Sequence, residues 1–339
     1  MKAVLATLCI VVGVTATLAA PPVDAASRTH ARAARTTSPA LTQESVDDAK
    51  LTTTVGPGSK GAAVLRAEIL LDRALFSPGE IDASYGTNVQ RAISGYQAAN
   101  GLDPSGVVDA ATWKALDADT AAAMTKYTVT DADVAGPFVT IPHDMMAKAK
   151  LPALGYSSAL EELGERFHAS PDLLRRLNPQ ASFRKAGETL LVPSVRPSAA
   201  VPGAAKVVVA KADSTVSIVD ASGKKLAQFP ASTGSDHDPL PIGQWTIKGI
   251  SRDPVFHYDP SLFWDADSKQ AKAKIAAGPN NPVGVVWLDL SKPHYGIHGT
   301  PEPSKIGKTQ SHGCIRLTNW DALTLAQSVV AGTPAELKE

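Results

Sequence analysis

Cysteine is scarce in this chain: 339 residues hold two, Cys9 and Cys314. Cys9 lies in an uncharged stretch, Ala3 to Ala20, that follows Lys2 and precedes Pro21-Pro22 and the small-residue site Val23-Asp24-Ala25. That order reads as a secretory signal over residues 1–25, cleaved near Ala25. The alternative, an uncleaved anchor, rests on an apolar run nearly long enough to span a bilayer. Cys9 follows Leu8 rather than a small residue, which speaks against a lipoprotein anchor. Once the signal is removed, Cys314 stands alone. A single cysteine in an exported protein closes no internal disulfide, so it is a reactive thiol or half of an intermolecular bridge.

An excess of one charge is also missing. Lys+Arg and Asp+Glu each number 33, so no bulk positive potential exists to hold nucleic acid or an anionic membrane. A hydrophobic content of 44% with 19% charged residues is that of a folded soluble protein. The length exceeds what one ordinary core serves, so several domains are expected. The expected location is outside the cytoplasm, in the periplasm or cell envelope, with no stable membrane anchor if the signal is cleaved.

Residues 26–56 are rich in Ala, Thr, Ser, Arg and Asp without periodicity and are expected to form a flexible linker. A first module is expected over residues 57–118. Val64, Ala67, Leu71 and Leu75 share one helix face after the cap-like Ser59. Val89, Ala92, Ile93 and Tyr96 repeat the pattern until Asn100-Gly101, and a short third helix after Asp109 carries Trp113 and Leu116. The module has no titratable cluster for chemistry, so binding or spacing is its expected task. Ile81-Asp82-Ala83-Ser84-Tyr85-Gly86, Tyr96-Gln97, Gly101-Leu102 and Gly106-Val107-Val108-Asp109-Ala110-Ala111-Thr112-Trp113 resemble the three-helix peptidoglycan-binding module.

Over residues 126–194, Leu160, Leu163 and Phe167 share a helix face. Ser170-Pro171 caps a helix with Leu173, Leu174 and Leu177, and Gly187 to Pro193 reads as a closing strand. With Tyr127-Thr128-Val129 and Asn178-Pro179, these residues are similar to a LysM carbohydrate-binding module. The segment departs from it by extra residues between Val129 and Leu160. A Pro/Ser/Ala linker, 195–204, leads to the last domain, 205–339. There Lys206 to Val219 is β-branched and alternating, with a turn at Ser222-Gly223 and a return through Phe229. Further strands are expected at Gly243 to Ile250, Val283 to Leu290 and Tyr295 to His298, and one sizeable helix from Asn319 to Val330. The last domain is therefore mainly antiparallel β, and the whole chain is multidomain α+β.

The chemistry concentrates in Gly296-Ile297-His298-Gly299-Thr300 and Ser311-His312-Gly313-Cys314-Ile315-Arg316-Leu317. A thiol attacks a carbonyl as thiolate, so it needs a base or a positive neighbour. His298 and His312 are both available as bases. Gly299 and Gly313 permit tight backbone whose amides can meet an oxyanion, and Arg316 supplies fixed positive charge. A zinc set of His294, His298, His312 and Cys314 is a second reading. It suffers because Pro293 and Gly296 make the His294/His298 spacing non-helical, and no Glu stands between the pair.

These motifs, with Pro241-Ile242-Gly243, Asn281-Pro282-Val283-Gly284 and Ser304-Lys305-Ile306-Gly307, resemble the L,D-transpeptidases with a YkuD-type fold. The resemblance implies Cys314 as nucleophile, His298 as base and the Gly299 carbonyl as orienter of the imidazole. Ser311, His312, Gly313 and Arg316 would shape the oxyanion and substrate site. An imidazolium beside the sulfur would place the thiol pKa below that of a free cysteine. The implied reaction forms 3→3 peptidoglycan cross-links from a tetrapeptide donor stem, with peptidoglycan stem peptides and glycan as partners and without metal or organic cofactor. Water or a protein amine in place of the acceptor stem would give hydrolysis or protein attachment. A wall-binding scaffold with a degenerate catalytic domain would require loss of Cys314, His298 or Arg316, and all three are present. The family pattern is interrupted by a long insertion, Arg252 to Asn280, whose Tyr258, Phe263 and Trp264 are candidate lid residues; the alternative is a self-packed surface loop.

Overall fold

The computed structural model describes residues 41–267 and 269–339. The expected signal and the first part of the expected tether lie outside the described residues. From Leu41 onward the chain is not a tether. Thr42 caps helix α1 (Gln43–Asp47), whose Val46 is fully buried, and Val55 is buried further on.

Helices α2 (Ala62–Arg73), α3 (Thr87–Ala99) and α4 (Ala110–Leu116) follow. The cap of α2 is Gly61 rather than Ser59, whose hydroxyl instead accepts from the Gly56 amide. Val64, Ala67 and Leu71 pack with Val89, Ile93, Trp113 and Leu116 in one core. The opposite face of α2, Leu65 and Ile69, belongs to a second core with Leu163, Leu173, Leu174 and Val192. Every residue from Val64 to Arg73 is buried, as expected of a helix covered on all sides. Most of its polar groups find partners: Arg66 pairs with Asp117 (2.8 Å), Asp72 meets His168 Nδ1 (2.9 Å), and Glu68 Oε2 accepts from the Ala83 amide (2.9 Å), leaving Glu68 Oε1 buried without one among the described residues.

The middle segment runs β1 (Met124–Thr128), α5 (Asp131–Ala135), α6 (Met145–Lys148), α7 (Ala159–Arg166), α8 (Pro171–Leu177) and β2 (Thr189–Pro193). Ser170 accepts from the Leu173 amide and Pro171 opens α8, as the sequence predicts. Strands β1 and β2 pair antiparallel.

The last region is built on an eight-stranded sheet. Its strands are β3 (Lys206–Ala210), β4 (Thr215–Val219), β5 (Lys225–Pro230), β6 (Gly243–Arg252), β9 (Val286–Leu290), β10 (Gly296–His298), β11 (Ile315–Arg316) and β12 (Pro334–Lys338). They lie side by side in the order β11-β10-β9-β6-β12-β3-β4-β5. Between β6 and β9 in the chain, β7 (Phe256–Tyr258) and β8 (Ala273–Ile275) form a separate two-stranded sheet. The run Lys206 to Val219, read as one strand, is a hairpin. The polar stretch Lys211–Ser214 turns, with Ser214 at φ 49°. Helix α9 (Asn319–Ser328), capped by Thr318, packs Ala322 and Leu325 onto the sheet's core.

The helical region covers an otherwise open edge. The β5 residue Gln228 exchanges backbone hydrogen bonds with Leu75 and Ser77 (both 2.9 Å), and its side-chain amide donates to the Arg91 carbonyl (2.8 Å). An exposed strand edge invites aggregation, and this contact removes part of it. The expected linker 195–204 is likewise packed: Val201 is buried and its amide donates to Ser328 Oγ (2.9 Å). Among the described residues, no helix is long and apolar enough to cross a membrane.

Candidate active site

Strand pairing builds the site. β10 lies between β9 and the parallel β11, with His298 opposite Arg316 and Ile297 opposite Ile315. The residue before β11 is Cys314, so its thiol, His298 and Arg316 open into one cleft of about 1170 Å³. The apolar alternation of these short strands buries Ile297 and Ile315 and turns the polar neighbours toward the cleft.

His298 is buried beneath Trp287, their rings stacked 5.4 Å apart at 16°. Its Nδ1 lies 2.7 Å from the Gly299 carbonyl. Burial, reinforced by the charge of Arg316, holds the imidazole down to about 3, so it is neutral. The Cys314 thiol donates weakly to the His294 carbonyl at 3.8 Å. Burial pushes the thiol up, against smaller opposing effects of the Gly296 backbone and Arg316. The expectation of a depressed thiol pKa is therefore reversed. A desolvated imidazole beside a guanidinium does not hold a proton, so it cannot stabilise a resting thiolate.

The remaining expected residues separate by what they touch. The Ser311 hydroxyl donates to the Cys314 carbonyl, and its backbone bonds to Thr233 (2.9 Å) and Ser235 (3.1 Å) pin the loop. Gly313 has φ 93°, and a Cβ there would stand 2.8 Å from the Tyr295 ring. His312 is engaged by the insertion: its Nε2 meets Asp265 Oδ1 at 2.8 Å and its ring packs edge-on against Phe263. Arg316, half-buried, faces the sulfur's cleft. Of the lid candidates, Tyr258 and Phe263 line the cleft, whereas Trp264 is 61% exposed and stacks on His237. His294 offers the sulfur its carbonyl, and among the described residues no three His, Cys, Asp or Glu side chains are placed to share a metal ion.

Three residues that sequence reasoning passed over matter here. Asn319, at the start of α9, accepts through Oδ1 from the Thr300 (3.1 Å) and Val285 (3.3 Å) amides. A Cβ on Gly299 or Gly284 would fall 2.2 or 2.1 Å from that oxygen, which is why both positions are glycine. Trp287 supplies the surface under His298. Asp238 lines the cleft with Oδ2 buried and, among the described residues, unpartnered. None of the three belongs to a motif with a diagnostic spacing.

Residues 204–337 match the family of the L,D-transpeptidase catalytic domain, and residues 60–116 match a peptidoglycan binding domain. The L,D-transpeptidase YkuD of Bacillus licheniformis is 30% identical over 176 residues, covering 51% of this chain and 90% of that protein. Its counterpart in Bacillus subtilis gives the same identity and coverage. Among solved structures, L,D-transpeptidase 3 from Mycobacterium tuberculosis aligns at 19% identity and a TM-score of 0.34, over 45% of this chain and 75% of that one. The chain belongs to the L,D-transpeptidases, a family of cysteine-dependent acyltransferases. It is a multidomain α+β enzyme with a helical peptidoglycan-binding region and a mainly β catalytic region, and its work lies outside the cytoplasm.

Proposed function

We propose that this enzyme forms 3→3 peptidoglycan cross-links through a Cys314 thioester. In the first step Sγ bonds to the carbonyl carbon after the L-centre of diaminopimelate in a tetrapeptide stem, and the thiol proton passes to His298. The C–N bond then breaks, and D-alanine leaves with that proton. In the second step the side-chain amine of another stem attacks the thioester, gives its proton to His298, and the thiol is released and reprotonated. Arg316 and backbone amides around Gly313 would stabilise the oxyanion of both tetrahedral intermediates, and Ser311 would hold the loop that carries them. Asp238, which lines the cleft with Oδ2 unpartnered among the described residues, would accept from the donor's ammonium group. Water in the second step would give L,D-carboxypeptidase activity, and a protein amine would give wall attachment.

The observation that carries this reading is the bond between His298 Nδ1 and the Gly299 carbonyl. A carbonyl only accepts, so Nδ1 keeps its proton and Nε2 presents a lone pair. The testing experiment is mass spectrometry after incubation with purified tetrapeptide muropeptides. An adduct on Cys314 and dimeric products are expected; absence of both from active, folded protein would reject the reading.

The finer organisation is also proposed: a cleaved signal over 1–25, a wall-binding module over 57–118, a LysM-like module over 126–194 and catalysis over 205–339. Supporting the LysM-like module is the pairing of β1 with β2 around α7 and α8, with α5 and α6 inserted between β1 and α7. The alignment to the Bacillus licheniformis protein also spans 176 residues, more than residues 204–337 can supply. The full chain should co-sediment with insoluble sacculi, and binding that survives loss of 57–194 would count against both modules.

A further inference from the structure

Two stretches exceed what the module resemblances require: the extra residues between Val129 and Leu160, and the insertion Arg252 to Asn280. They lie far apart in the chain but share one small core. Fully buried Leu154 packs with Tyr258 and Ile275, and Ile141, Met145 and Phe263 close around them. Backbone pairing joins the stretches as well. The Leu154 amide donates to the Ala277 carbonyl and the Leu154 carbonyl accepts from the Asn280 amide, both at 2.9 Å. Gly278, at φ 138°, permits this approach, since a Cβ there would fall 2.2 Å from the Leu154 carbonyl oxygen. At the outer end the Gln270 amide donates to Asp144 Oδ2 at 3.0 Å, and the Tyr258 hydroxyl donates to Gln270 Oε1.

The insertion's own sheet has three residues in each strand. A ribbon that short is not stable alone in water. Yet it carries Tyr258 and Phe263 over the cleft, and Asp265 to the His312 ring. Met145, from the N-terminal stretch, lines the same cleft as Cys314 and His298. The N-terminal half thus contributes a wall to a site whose reacting groups all come later in the sequence.

We propose that residues 141–154 are a brace that fixes the lid over Cys314, and that Met145 is a positioning and specificity-determining residue for the donor stem. The identity of that ligand rests on the acyl-transfer reading; the brace itself does not. Without the brace the lid loses its apolar support and samples many openings, so the donor must order it on binding and affinity falls. The thiol, held by β11 and the Ser311 loop, is untouched. The catalytic region alone is therefore an impaired enzyme, even toward soluble substrates.

The test uses the full chain with Leu154→Ala, Asp144→Ala, Met145→Ala and Met145→Leu. Amide hydrogen exchange of residues 256–258 and 273–275 should accelerate by about tenfold in Leu154→Ala and by roughly threefold in Asp144→Ala, with β3 to β6 unchanged. Met145→Ala should raise KM for a soluble tetrapeptide muropeptide by about fivefold with kcat nearly constant. Met145→Leu should restore KM, and iodoacetamide should label Cys314 at least as fast in Leu154→Ala as in wild type. Unchanged exchange in both Leu154→Ala and Asp144→Ala overturns the brace, and an unchanged KM in Met145→Ala overturns the role of that residue. If wild type forms no acyl-enzyme, the acyl-transfer reading fails and the exchange measurement still decides the brace.

Discussion

His298 keeps its Nδ1 proton on the carbonyl of Gly299, its own neighbour in the chain, 2.7 Å away. No distant carboxylate is needed to fix the tautomer. The carbonyl brings no full negative charge, so its hydrogen bond raises the imidazole too little to offset the burial and the Arg316 charge that hold the ring down to about 3. Burial also pushes the Cys314 thiol up, so both groups rest neutral, and in the proposed mechanism the proton moves during attack.

The first prediction follows from that neutrality. Alkylation of Cys314 by iodoacetamide should rise with pH through one inflection above the ordinary thiol value of about 8.5, with no reactive plateau near neutrality. His298→Ala should leave that profile nearly unchanged, yet slow acyl transfer by about 10²- to 10⁴-fold. A plateau extending down toward pH 5 that disappears in His298→Ala would mean an ion pair instead.

Cys314→Ala should abolish turnover with Tm unchanged, because the thiolate supplies a bond no neighbour can. Cys314→Ser should be nearly as inactive, since neutral His298 would then face a far less acidic hydroxyl. Chromatographic detection of dimeric muropeptides from either variant would end the cysteine mechanism.

Gly313 and Gly332 share φ 93°, but only Gly313 faces a ring; nothing lies within 4 Å of a Cβ at Gly332. Alanine at either position should cost about 1–3 kcal/mol from backbone strain. Gly313→Ala should in addition displace the Cys314 loop from Tyr295 and lower kcat by about 10²-fold or more, the size typical of losing one oxyanion donor. Equal activity in the two variants, at matched Tm, would show that the contact with Tyr295 does not place the thiol.

Stability should fall as pH rises from about 5 to 8. Where the middle segment meets α9, burial raises Glu165 to about 8 and Asp321 to about 7. The unfolded chain ionises both near pH 4, so between those values the folded state binds more protons and each step up in pH favours unfolding. Asn319 Nδ2 donates to Glu165 at 3.2 Å, and Ser77 Oγ donates to Asp321 at 3.0 Å. Glu165→Gln and Asp321→Asn should flatten the Tm-versus-pH curve over this range. An unaltered slope in the double variant would locate the dependence elsewhere.

Local chemistry is readable from sequence wherever one residue decides an element. Ser170-Pro171, Asp109 and Thr318 start helices because a side-chain oxygen or a fixed φ meets free backbone amides. That Cys314 and His298 share one cleft is hinted at by their two glycine-flanked motifs. Periodicity puts Val64, Ala67 and Leu71 on a buried face, but gives no sign that Leu65, off that face, is buried as well against Leu173 of the middle segment. That choice depends on surfaces that meet only after folding. For the same reason Asn319, Leu154 and Met145 give no signal: asparagine, leucine and methionine at ordinary spacing acquire their roles from partners distant in sequence. The thiol's raised pKa escapes the motif too, because a motif names neighbours without their burial.

The sheet order carries a consequence for the timing of assembly. β12, residues 334–338, lies in the middle of the eight strands, hydrogen-bonded to β6 on one side and parallel β3 on the other. During synthesis or passage through an export pore, β3 to β5 can pair while β6, β9, β10 and β11 have no seam joining them to that half. β12, the strand that closes the seam, emerges after Cys314. Cys314 therefore travels in an incomplete sheet, and the cleft it shares with His298 and Arg316 has its full support only when β12 has been delivered.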